Sequence, residues 1–383
     1  MNDYQAIVVG AGPAGAFAAY ELGRRGIRTL LLEKQSLPRD KTCGGGLTYK
    51  VSRLLPFDLA PVLEHRVTRC DLVWRLGAAA TLGGGDELIH MVRRSRFDQF
   101  LVEQALTTGE VTLIDRVAAA GCDVDARGVT VYTVRGALRG DYLIAADGAN
   151  GAIGKTLGLM RERLLLPAVE CELAVDRATI DTWQQRASLD VGSLRGSYGW
   201  VFPKGEHLNV GVGCFAASSR KAQGLMNYAR SHWAFRFPGA RLTHSLGSVL
   251  PLRPPGAAIA RGRVLLAGDA GGLVEAFTGE GIYWALRSGR IAAEAIADDL
   301  SRGHGKPAYQ AAIDTQLMPD LLEARRWAHM YLWWPGSVFT LPTRWPAAWR
   351  AIERLLRGEL RFSEMRGLLG WPGRAIGLLP TTL

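Results

Sequence analysis

The sequence predicts an α/β fold: a parallel sheet wrapped by helices, an inserted and mainly antiparallel sheet, and a helical C-terminal segment. Three observations predict it. Short apolar runs near residues 7 and 264 each break into a glycine-rich turn and then a helix, the βα pattern of a parallel sheet. Residues 165–258 instead alternate apolar and polar side chains with period two. From Arg325 onward the composition shifts to tryptophan and arginine.

The first element carries the most chemistry. Ile7 to Val9 reads as a buried strand that breaks into Gly10-Ala-Gly12-Pro13-Ala14-Gly15, and a helix follows from Pro13 to about Arg24. Gly26 stops that helix, and a second strand, Thr29 to Leu32, ends in Glu33 and Lys34. Each glycine has a mechanical reason: Gly10 makes the tight turn, Gly12 admits a pyrophosphate to the backbone, and Gly15 lets the helix pack on the strand. The helix N-terminus offers free N–H groups and a positive dipole end. Glu33 stands where a carboxylate takes ribose hydroxyls. Strand, turn, helix and acid together read as a dinucleotide site.

Further along, Cys43-Gly44-Gly45-Gly46 predicts a loop whose bare backbone can lie against something flat, such as a flavin face, or else a plain turn. Cys43 itself reads as either a small buried filler or a reactive thiol. Residues 51–95 mix short strands and loops. A helix to about Leu106 follows, and Arg94 just before it is placed either to hold a diphosphate or flavin edge or to face solvent. Between Val111 and Leu143 a small meander returns to the parallel sheet and ends in Asp147-Gly148, at a carboxyl edge where ligands bind in open α/β folds.

Within the alternating region, Tyr198-Gly-Trp200-Val-Phe202-Pro203 places large rings on one strand, as core or as the wall of an apolar or aromatic substrate pocket. The chain then returns to a buried strand at Val264 to Ala267. Gly268-Asp269 follows, then Thr278-Gly279-Glu280-Gly281 opening a helix from Ile282 to about Leu300. Asp269 can accept from a ribityl hydroxyl, and the N–H groups of Gly279 to Ile282 can meet the electron-rich edge of a reduced flavin.

Gly10-x-Gly12-x-x-Gly15, Asp147-Gly148 and Gly268-Asp269 stand in the order of one family: the chain resembles FAD-dependent oxidoreductases of the p-hydroxybenzoate hydroxylase fold. Within that group Cys43-Gly-Gly-Gly-Leu, Tyr198-x-Trp200-x-Phe202-Pro203 and Gly279-Glu-Gly-Ile282 resemble the geranylgeranyl reductase branch, over roughly residues 4–300. The resemblance implies a Rossmann-type FAD-binding domain of the GR2 type. It also implies saturation of isoprenoid double bonds, an isoalloxazine between Cys43–Gly46 and Thr278–Ile282, and a lipid pocket lined by the Tyr-x-Trp-x-Phe-Pro strand. Ala276 and Arg195 stand where the family pattern has prolines.

Expected domain limits are 1–164 for FAD binding, with excursions at about 51–95, then 165–258 for the substrate sheet, 259–305 for the return and 306–383 for a cap. Six of the eleven tryptophans (327, 333, 334, 345, 349 and 371) lie in that last part. Ala347 to Arg357 is amphipathic, with Trp349, Ile352, Leu355 and Leu356 on one face and arginines on the other, which suits a membrane interface, a cavity cap, or both.

The formal charge of +10 points to an anionic partner, phosphate or lipid surface, while no reader motif points to nucleic acid. Five scattered cysteines without CxxC spacing argue for a reducing compartment and against a zinc site, and the histidines show no metal-ligand spacing. No basic leader precedes the first strand, so a cytoplasmic protein, peripheral at a membrane through its C-terminal segment, is expected. A single Gly-x-Gly-x-x-Gly leaves NAD(P)H a transient electron donor, or the donor another protein. The leading function is reduction of a C=C bond in an apolar substrate. The rivals are a flavin monooxygenase hydroxylating an aromatic ring, including a Trp or Tyr side chain of a partner protein, and a non-catalytic flavoprotein that docks through its tail.

Overall fold

Five strands pair in parallel in the spatial order Val111–Ile114, Thr29–Leu32, Tyr4–Val9, Gly136–Ala145 and Val264–Leu266. Their side chains are apolar on both faces, as a sheet covered on both sides requires. The computed structural model describes residues 3–215, 219–303, 305–368 and 371–382; the side chain of Trp371 lies outside the described residues. Helices Pro13–Gly23, Arg94–Leu106 and Ile282–Arg302 pack together on this sheet, the first lying between the other two. Phe17, Leu22, Phe97, Leu101, Leu286 and Ile296 supply the buried contact.

Two details differ from the sequence reading. Val111–Ile114 belongs to the parallel sheet and not to the meander, because its register follows Thr29–Leu32 residue for residue. The meander proper is Ala119–Asp125, Gly128–Thr133 and the first half of Gly136–Ala145, whose second half enters the parallel sheet. Residues 51–95 also hold the end of a helix, Tyr49–Leu54.

The second sheet has seven strands, ordered Arg241–Leu252, Leu164–Ala174, His207–Cys214, Ser197–Lys204, Arg186–Val191, Arg69–Trp74 and Ala78–Gly83. All neighbours are antiparallel except Arg186–Val191 with Arg69–Trp74. That junction recruits two strands from the 51–95 region. Two helices absent from the sequence reading, Arg177–Trp183 and Ser219–Arg236, cover the outer face over Cys171, Leu173, Val201 and Val210. A small sheet of Gly46–Thr48, Ile89–Val92 and Leu63–Val67 joins the two large ones. The C-terminal helices, among them Met318–Trp333, Pro335–Arg344 and Pro346–Arg357, close over the inner face near Leu72, Val191 and Phe215.

Candidate active site

A cavity of about 1110 Å³ runs from the first glycine turn, between the two large sheets, to the C-terminal helices. Gly10, Gly12, Pro13, Ala14, Glu33, Lys34, Cys43, Gly44, Gly45, Arg94, Asp147, Tyr198, Trp200, Asp269, Gly279, Gly281 and Ile282 all line it. Gly15 and Gly268 do not, and their work is packing. A Cβ on Gly15 would lie 1.9 Å from the Gly10 carbonyl oxygen, so this residue lets the helix close onto the turn. Gly268 packs against Ala14 and donates its N–H to Ser288 Oγ at 2.9 Å.

At the dinucleotide end, Gly10 has φ +101° because the chain must clear the Ala146 carbonyl, which a Cβ would approach to 2.3 Å. A Cβ on Gly12 would meet only the Arg39 guanidinium, at 3.7 Å, so the space before it is free. Helix Pro13–Gly23 has neither a capping side chain nor an acid in its first turn, which leaves its N–H groups for an anion. Buried Glu33 accepts from Ala11 N–H at 3.0 Å and from Gln35 N–H at 3.1 Å. Arg39 Nε lies 3.2 Å from Glu33 and its Nη1 3.1 Å from Asp98, which in turn takes a bidentate pair from Arg94, both bonds 2.8 Å. Burial opposes the Arg94 charge, but Asp98 outweighs it and raises the guanidinium pKa. Arg94 thus begins its helix with its side chain only 9% exposed, and is not a surface residue. Arg39 and Asp98 were not anticipated. The Arg94-to-Asp98 spacing of one helical turn was a readable signal, whereas the Arg39 contact is tertiary.

Asp147 accepts from Ile153 N–H, at the start of the short helix Ile153–Thr156, at 3.1 Å, while its Oδ1 is buried with no protein partner among the described residues. Burial raises the pKa of Asp147, and likewise that of Asp269, where Lys41 and Arg94 oppose the rise.

The wider middle of the cavity is framed by two loops. Cys43 Sγ accepts from Gly45 N–H at 3.3 Å, and Gly44 lies so close on Phe202 and Trp200 that a Cβ would sit 3.0 Å from the Phe202 ring. Buried Lys204 runs beneath Gly45 and donates to the Val92 carbonyl. Opposite, the Glu275 carboxylate gathers Phe277 N–H, Thr278 N–H and Thr278 Oγ, and burial pushes its pKa up to about 7. Tyr198 donates to the Thr278 carbonyl, fixing Gly279 at φ +73°. Glu280 pairs with Lys50 at 2.6 Å and accepts from Thr48 Oγ, which ties the turn to the strand after the Cys43 loop. Lys50 and Glu280 were also missed, since nothing in the sequence announces a pair 230 residues apart.

Beyond this frame the walls are apolar: Phe277, Trp327, Met330, Val338, Leu341 and Ile352 among them. A long ligand with an anionic middle and a flat ring fits this lining. Free N–H groups and the open face of Gly12 would meet the diphosphate, Glu33 the ribose and Asp269 the polyol, with two bare-backbone loops to flank the ring. That constellation on an α/β scaffold defines an FAD-dependent oxidoreductase.

Known proteins agree. The FAD binding domain family matches residues 3–189. A geranylgeranyl diphosphate reductase of Synechocystis sp. is 31% identical over 327 residues, covering 78% of this chain and 77% of the relative. A menaquinone reductase of Mycobacterium tuberculosis is 31% identical over 324 residues, covering 77% of each chain. Among solved structures, a geranylgeranyl bacteriochlorophyll reductase-like protein from Thermoplasma acidophilum superposes with a TM-score of 0.75 at 23% identity, over 85% of this chain and 87% of that one. The chain belongs to the geranylgeranyl reductase family of FAD-dependent oxidoreductases.

Proposed function

We propose that this protein saturates C=C bonds of an apolar, isoprenoid-like substrate. The observation that carries the reading is the continuity of the cavity: it passes from the Thr278–Ile282 turn into an end walled by half-exposed apolar side chains of helices Pro335–Arg344 and Pro346–Arg357. Such walls hold a hydrocarbon chain by burial, about 0.8 kcal/mol per methylene, and give no purchase to a polar metabolite. Bound FAD, once reduced, supplies the hydride. The chain's own part is to hold the ring between two bare-backbone loops, exclude water with Trp200, Phe202 and the C-terminal helices, and orient the alkene. The names of the two reductase relatives, one for a prenyl diphosphate and one for a prenylated quinone, support a prenyl substrate.

The test is anaerobic. The chemically reduced enzyme is mixed with geranylgeranyl diphosphate, or with a menaquinol whose ring is already reduced, while flavin absorbance is followed, and the products are weighed by mass spectrometry. Flavin reoxidation with a gain of two mass units per double bond is the expected result. No reoxidation by the prenyl probe here, with a separate aerobic run showing reoxidation by oxygen coupled to hydroxylation of an aromatic ring or of a Trp or Tyr side chain on a partner protein, would replace this reading with the monooxygenase.

A further inference from the structure

The inner face of the substrate sheet carries a polar line, buried at one end and reaching solvent at the other, that the cofactor does not account for. Glu170 and Glu172 are two apart on strand Leu164–Ala174 and so share a face. Across the ladder, Glu172 stands opposite Asn209 and Glu170 opposite Gly211, over which the Trp200 ring lies. Trp200 Nε1 donates to Asn209 Oδ1 at 2.8 Å, which fixes the amide, and Asn209 Nδ2 then faces Glu172 at 2.9 Å and Glu170 at 3.4 Å. Glu172 pairs with His207 at 2.6 Å, and His207 is half-exposed at the strand's end. Glu170 lines the cavity together with Cys43, in the loop that frames the ring.

We propose that Glu170 is the acid that protonates the substrate, and that Asn209, Glu172 and His207 hold it in place and connect it to solvent. The assignment rests on the reductase reading above. One alkene carbon takes a hydride, with its electron pair, from the reduced flavin, which is left oxidised. The neighbouring carbon takes the Glu170 proton, the π bond supplies that C–H pair, and the carboxyl is left a carboxylate. Solvent returns the proton past His207.

The environment separates the two carboxyls in the manner an acid and its neighbour require. Burial and the Glu172 charge push Glu170 up to about 7, against Asn209, Lys204 and the Cys43 N–H. Burial opposes the Glu172 charge too, but His207 and Asn209 outweigh it and lower its pKa. Lys204, on the same face, is itself lowered by burial, and His244 stands opposite Glu172 on strand Arg241–Leu252.

The test uses the full chain loaded with FAD. Infrared titration is expected to show protonated-carboxyl absorption that disappears as pH rises through about 7, from Glu275 as well as Glu170, so the Glu170 band is read as the difference between wild type and Glu170→Gln. In single turnover with geranylgeranyl diphosphate, Glu170→Gln is expected to slow flavin reoxidation about 10²–10⁴-fold with FAD retained, and Glu170→Asp to recover part of the rate. Glu172→Gln moves the alkaline limb of the rate to lower pH, a change that mere loop support would not produce. A Glu170→Gln enzyme as fast as wild type, or no protonated-carboxyl difference between wild type and Glu170→Gln at pH 6, overturns the proposal. If wild type leaves the prenyl probe untouched, the reductase reading fails, and the infrared titration alone decides whether Glu170 is a protonated acid.

Discussion

Gly12 and Gly15 lie three residues apart and meet opposite demands. Gly12 faces open space that a diphosphate would fill, whereas Gly15 has the Gly10 carbonyl where its Cβ would be. Gly12→Ala is therefore expected to leave the melting temperature of the flavin-free chain almost unchanged while weakening FAD retention on gel filtration. Gly15→Ala is expected to destabilise the flavin-free chain itself, by about 1–3 kcal/mol on denaturant titration, as overpacked sites do. Glu33→Ala and Asp269→Ala should each lose FAD more readily than wild type. Full occupancy in both would sink the assignment of ribose and polyol contacts. The Glu33 effect has a second source, because its carboxylate also holds Arg39, which otherwise loses one of its two anions.

Helix Ser219–Arg236 shows where local reading ends and packing begins. Leu225, Ala229 and Trp233 recur at helical spacing, so the signal was present, but it sat inside a region dominated by period-two strands. The strand, turn and helix at residues 4–32 were legible because a phosphate-binding turn constrains consecutive residues. The alignment of Arg69–Trp74 beside Arg186–Val191, like the Arg39–Asp98 and Lys50–Glu280 pairs, follows from how distant segments meet and leaves no local pattern. His232, on the same helix, is of this second kind. It is fully buried, stacked on Tyr228 with planes 7° apart, and neither ring nitrogen has a hydrogen-bond partner among the described residues. Burial, helped by Arg236, depresses its pKa to about 3. The folded chain thus holds no proton there, while the unfolded chain binds one below its ordinary value of 6.5. This contribution to stability is full above pH 6.5 and is lost as pH falls toward 3, by about 1.4 kcal/mol per unit. His232→Phe keeps the ring and removes the proton site, so its melting temperature should fall less than that of wild type between pH 7 and pH 4.5. Equal falls would show that another group carries the acid sensitivity.

On the scale of the whole molecule, the cavity's apolar end and three exposed tryptophan rings belong to the same run of C-terminal helices. Trp333, Trp334 and Trp345 are 61%, 57% and 53% exposed and flank helix Pro335–Arg344, whose Val338 and Leu341 line the cavity. Arg344, Arg350 and Arg354 are exposed nearby in sequence, on a chain of net charge +10. No helix among the described residues is long and apolar enough to cross a membrane. The arrangement suits a surface that rests on a bilayer: rings at the headgroup level, arginines against anionic lipid, and the cavity wall between them where a prenyl chain would leave the membrane. The chain should therefore sediment with phosphatidylglycerol vesicles and far less with phosphatidylcholine ones. Each of Arg344→Gln and Arg350→Gln should weaken binding about fivefold, the equivalent of roughly 1 kcal/mol per charge. Replacing the three tryptophans with serine should weaken it at all salt concentrations, because ring insertion is not screened, whereas the arginine effect should fade as added salt approaches about 1 M, where the Debye length is about 3 Å. Sedimentation indifferent to both sets of changes would leave these rings as cover for the cavity alone, and the substrate would then have to reach it without a membrane beneath.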